Sequence, residues 1–104
     1  MPRPNPAQLN QLDDLRAGID AIDDQILTLL GERLAHVDRV ATIKGRSGVS
    51  AAAPTRYAAV INKVRGRADV HGFDPDIAET MWRVMIVAMI AREQKVLGTK
   101  GDDA

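Results

Sequence analysis

The sequence predicts an all-α domain of three helices, one long and two shorter, and three observations carry that prediction. An apolar stripe runs through Leu12, Leu15, Ile19, Ile22, Ile26 and Leu29 at helical spacing, and its rhythm persists for more than thirty residues without a proline. Two later helix starts are marked by Pro54 and by Asp74-Pro75-Asp76. The composition is that of a helix former: aromatics make up 3%, only Tyr57, Phe73 and Trp82, while Ala, Val, Ile, Leu and Met supply most of the 45% hydrophobic fraction.

The first helix is expected from Gln8 to about Gly45, with Gly18 and Gly31 as its weak points. Gly45-Arg46-Ser47-Gly48-Val49-Ser50 reads as a loop, and Ala53 is held out of the helical region by Pro54. A second helix starts near Pro54 or Thr55, gathers Tyr57, Val60, Ile61, Val64 and Ala68 on one side, and stops at His71-Gly72, where glycine takes a left-handed cap. The third follows the Asp74 N-cap and runs from Ile77 to Leu97. Between Met81 and Ala91 it is apolar nearly all round, which predicts burial in a bundle. The domain is thus placed at residues 8–97, with 1–7 and 98–104 as disordered tails.

With 104 residues the chain is one domain, and its first helix, roughly 50 Å long at about 1.5 Å per residue, exceeds the width of such a domain. One chain cannot cover the whole stripe. An intertwined homodimer, in which two long helices pack against each other and against the shorter ones, solves this. Fourteen basic residues balance fourteen acidic ones, so no global field draws nucleic acid or an anionic membrane, and anion recognition must be local. No apolar run spans a bilayer, and the N-terminus lacks the apolar core of a signal peptide, which points to a cytoplasmic protein. The absence of cysteine excludes disulfides and thiolate chemistry. His36 and His71 are too isolated for a metal site, Ser47 and Ser50 have no base at motif spacing, and no glycine-rich phosphate cradle exists. No metal or cofactor is expected.

Arg33 stands where the apolar rhythm asks for Leu, and Lys44 follows eleven residues later on nearly the same helix face. Roughly 16 Å separates their Cα atoms, a gap that two long side chains narrow to the width of a small dianion. A lone Arg on such a helix is ordinarily a surface residue; two cations sharing the apolar face suggest a carboxylate clamp. Arg56, near a helix start, suits the same ligand. Arg16 lies seventeen residues before Arg33, so if it serves a pocket it serves the partner chain's. Glu93 closes a face formed by Ala78, Trp82, Met85 and Met89. It is either the end of that stripe meeting water or a buried acid kept protonated as a hydrogen-bond donor. Chemistry built on these groups is electrostatic and conformational.

The pattern Leu15-Arg16-x-x-Ile19-Asp20-x-Ile22-Asp23-x-x-Ile26-x-x-Leu29-Leu30-x-x-Arg33, then Lys44, Arg56 and Gly72-Phe73-Asp74-Pro75, resembles the all-helical AroQ class of chorismate mutases, from about Gln8 to Leu97. The resemblance implies an intertwined dimer that rearranges chorismate to prephenate in aromatic amino-acid biosynthesis. It implies that Arg33, Arg56 and the partner's Arg16 hold the substrate carboxylates, with Lys44 on the ether oxygen and one carboxylate. Glu93 falls where many members carry a Gln that donates to the ether oxygen. Ala53 and Tyr57 fall where typical members have acids near the ring hydroxyl, and Met89 replaces a small polar residue. The segment Ala52-Ala53-Pro54-Thr55-Arg56 is similar instead to isochorismate-pyruvate lyases, and an aminodeoxychorismate mutase fits the loss of hydroxyl-binding groups. A non-catalytic helical dimer, active only with a partner enzyme of the same pathway, is the alternative of a different class.

Overall fold

The computed structural model describes residues 3–47 and 54–97. They form a short 3-10 turn (Pro6–Gln8) and three α-helices, α1 (Leu12–Ser47), α2 (Pro54–Val70) and α3 (Pro75–Leu97), and no strand occurs among the described residues. The chain divides into two units, Met1–Ala35 and His36–Ala104.

In the first unit the helix starts at Leu12 rather than Gln8. Asn5 caps the 3-10 turn by accepting from the Ala7 N–H at 3.0 Å, and Leu9 is extended, so the helical hydrogen-bond ladder begins only afterwards. Asp13 and Asp14 then fall in the first turn of α1, where acids complement the macrodipole. None of this unit's described residues is buried. Its apolar stripe faces outward, with Leu12 60%, Ile19 55%, Ile26 44% and Leu29 62% exposed.

The second unit is built on a helical hairpin. Gly72, at φ 72°, occupies the left-handed position, while the Phe73 N–H donates to the Ala68 carbonyl at 2.8 Å and the Gly72 N–H to the Asp69 carbonyl at 3.1 Å. These two bonds are the paired closure of a glycine-terminated helix. Asp74 then caps α3, its Oδ1 accepting from the Asp76 N–H at 2.8 Å. The two helices run antiparallel. Arg65 pairs with Asp76 and Glu79 near the turn, while Tyr57 on the same helix meets Arg83 further along α3. Ile61 and Ala68 from α2 and Ala78 and Ile86 from α3 are buried, as is Ala41 near the end of α1. The face of α2 expected to pack, Tyr57 to Ala68, does so.

The end of α1 also differs from expectation. Gly45 to Ser47 belong to α1 rather than to a loop: one glycine costs a helix only about 1 kcal/mol, and Lys44 and Arg46 sit favourably at the negative end of the dipole. The rest of the expected loop, with Ala53, lies outside the described residues, as does 98–104. Within the single chain α3 is covered on one side only. Met81, Val84 and Val87 are 48%, 69% and 59% exposed, because a helical hairpin covers only one side of each helix.

Candidate active site

Glu93 is the only buried charged residue among those described, 8% exposed, on the inward face of α3 that also carries Ala78 and the half-buried Trp82, Met85 and Met89. Burying a carboxylate is unfavourable unless a cation answers it. Lys44 does: its Nζ donates to Glu93 Oε2 at 3.3 Å, and both side chains are largely shielded. The last turns of α1 and the last third of α3 thus bring together two residues forty-nine positions apart.

Beside this pair lies a second link between the same helices. Arg92 donates from Nε to Asp38 Oδ1 at 2.7 Å and from Nη2 to Oδ2 at 3.0 Å, a two-pronged guanidinium–carboxylate bond. The hydrogen bond from Arg92 holds the Asp38 carboxyl below the usual range. A cleft of about 380 Å³ is lined by Asp38, Ala41, Thr42, Arg92, Glu93 and Lys95. Its walls carry both signs of charge, so it has groups for anionic and for neutral polar parts of a ligand. Asp38 and Arg92 escape sequence reasoning because each is an ordinary charge on a polar helix face. The proximity of Arg92 to Glu93 is the only signal the sequence holds.

The other expected residues are distributed as follows. Tyr57 is half-buried on α2 with the Arg83 guanidinium 5.7 Å from its ring centroid; Arg83 Nε in turn donates to Glu79 Oε2 at 2.6 Å. Arg56 precedes it on α2 and is exposed, and Met89 stands one turn before Glu93. In the first unit, Arg33 is half-buried and its Nη1 is buried without a hydrogen-bond partner. A guanidinium nitrogen taken from water with nothing to donate to is costly. Arg16 is exposed, 4.0 Å from Asp13. Among the described residues no group of three or more His, Asp or Glu stands close enough to hold a metal ion, and no helix is long and apolar enough to cross a membrane.

The chain is similar in sequence to several known proteins. The chain is 36% identical over 73 residues to a T-protein of Enterobacter agglomerans, covering 70% of this chain but 20% of that protein, so it spans about a fifth of that relative's length. It is 32% identical over 88 residues to a 4-amino-4-deoxychorismate mutase of Streptomyces venezuelae, covering 85% of each. A chorismate mutase of Methanocaldococcus jannaschii is 30% identical over 78 residues, 75% of this chain and 79% of that one. The family described as chorismate mutase type II matches residues 15–94, a span that begins just before Arg16 and ends just after Glu93. With residues 15–94 matched, most of its length, the chain belongs to the chorismate mutase type II family.

Proposed function

We propose that the chain is a chorismate mutase working as an intertwined homodimer, with Lys44 and Glu93 at the reacting centre. The observation that carries this is the pairing of Lys44 with a buried Glu93, in a chain matched by the family over residues 15–94. The reaction is a pericyclic rearrangement: one C–O bond breaks as one C–C bond forms, and no proton or electron is exchanged with the protein. What a protein contributes is a folded substrate conformer and charge at the breaking bond. Lys44 supplies a cation for the ether oxygen and one carboxylate. Glu93 in its protonated form donates to the same oxygen. Arg33, with its buried and unsatisfied nitrogen, takes a carboxylate, and Arg56 and the partner chain's Arg16 complete the clamp. Tyr57 and Met89 line the ring end of the substrate.

Dimerisation is supported by the outward stripe of α1, Leu12 to Leu29, and by Met81, Val84 and Val87 on α3. Apolar surface on this scale calls for a covering chain, and a second α1 has the matching length and pattern. The test is a purified-protein assay with a mass measurement at micromolar concentration. Expected are a dimer and loss of chorismate absorbance without salicylate. Salicylate and pyruvate from isochorismate would replace this reading with the lyase. Silence on every substrate would leave a non-catalytic module. One relative, matched over 85% of both chains, bears the name 4-amino-4-deoxychorismate mutase, which makes the amino substrate the second reading to assay. That the chain spans only a fifth of a T-protein supports assaying it also with a partner enzyme of the pathway.

A further inference from the structure

We propose that Asp38 and Arg92 form a positioning clamp for the reaction, holding the end of α1 against α3 while Lys44 turns from Glu93 to the substrate. The inference rests on the mutase reading above. Ala41 is the only buried side chain among the described residues of α1, and a single methyl group cannot fix the rotation or angle of a helix. Two ion pairs flank it: Asp38 with Arg92 and Lys44 with Glu93. The second cannot serve as the lock, because a lysine that binds substrate must release its carboxylate partner. The first remains. Its two-pronged geometry, at 2.7 and 3.0 Å, resists twisting as well as separation.

The same bond has a second consequence. Arg92 adjoins Glu93, and a guanidinium left without a partner would compete with Lys44 for the buried carboxylate or for the substrate's own. Asp38 occupies it. Both side chains of the pair are about half exposed, 48% for Asp38 and 50% for Arg92, so the bond contributes little to global stability. A role in geometry is therefore separable from a role in folding.

The experiment compares the full-length wild type with Asp38→Ala, Arg92→Ala, the double variant and Arg92→Lys, by steady-state kinetics on chorismate and by thermal unfolding. Each single Ala variant is expected to lower kcat about tenfold with KM within about twofold, while Tm moves by no more than about 3 °C. The double variant should be no worse than the poorer single one, since both remove one interaction. Arg92→Lys, which keeps charge but not the fork, should fall between. Wild-type kcat in the single variants, losses that multiply in the double variant, or losses explained by unfolded protein would overturn the clamp alone. A wild type silent on chorismate would instead overturn the functional reading, and the clamp with it.

Discussion

Replacing Lys44 by Ala removes the cation that answers a buried carboxylate, and its effect on stability can be worked from the geometry. At 3.3 Å, with an effective dielectric constant near 20, the attraction between the two charges is about 5 kcal/mol, most of it offset by the cost of removing both from water. Breaking a fully buried pair costs about 3–5 kcal/mol; here the side chains keep 21% and 10% of their exposure, so water partly relieves the orphaned acid and about 2–3 kcal/mol is expected. Glu93→Gln retains shape and an acceptor for Lys44 and should cost about 1 kcal/mol. With both changes no charge is left unanswered, and the double variant should be more stable than the sum of the two by roughly 1–2 kcal/mol. Urea unfolding of the four proteins at one protein concentration measures this coupling. A coupling below about 0.5 kcal/mol would mean that Lys44 and Glu93 do not meet in solution. Activity gives an independent check: Lys44→Ala should lower kcat/KM about a thousandfold, chiefly through kcat, and a variant close to wild type would remove Lys44 from the reacting centre.

Arg33→Ala should behave in the opposite way with respect to stability, because its Nη1 is buried with no hydrogen-bond partner: unfolding free energy is expected to stay level or rise, while kcat/KM falls about a thousandfold. Arg16→Ala should be inactive too, yet mixing it with Arg33→Ala should restore one site in two; heterodimers that form and remain inactive would count against a shared pocket. Glu93→Gln, which keeps a donor of the same shape, should retain activity that Glu93→Ala loses; equal kcat/KM for the two variants would take Glu93 out of the mechanism. Asp38, held below its usual range by Arg92, and Glu79, held below by Arg83 and also by Arg65, stabilise the fold fully above their unfolded values of about 3.9 and about 4.3, and that contribution is lost as pH falls through their lower folded values. Arg92→Ala and Arg83→Ala should therefore show a shallower loss of stability in acid than the wild type, measured by thermal unfolding from about pH 5 to about pH 2.

The helices were legible because their signals are local. A stripe at helical spacing, an Asp-Pro start and a glycine in the left-handed position each depend on a few neighbouring residues, and the hairpin from Tyr57 to Glu93 follows them closely. The helix ends were less so. Whether α1 stops at Gly45 or runs to Ser47 turns on about 1 kcal/mol, within reach of the favourable charges in its last turn. The extent of burial on α3 is legible only in part: hydrophobicity records what a residue prefers to leave, water, and not whether its own chain or another one covers it.

The site divides in the same manner. Lys44 and Glu93, which meet in the structure, stand out in the sequence as Arg33 does, because each is a charge set into an apolar face, an anomaly that needs a counter-charge or a ligand to explain it. Asp38 and Arg92 break no pattern. Each sits on a polar face where any charged residue would do, and only the crossing of α1 and α3 brings them within hydrogen-bonding distance, across fifty-four residues of chain. A rearrangement that exchanges neither protons nor electrons with its catalyst asks for fixed charges in fixed places. The charges are written into helix periodicity. What holds them in place is tertiary: among the described residues of the second unit, Ala41 is buried near the end of α1, and Asp38–Arg92 and Lys44–Glu93 link that end to α3.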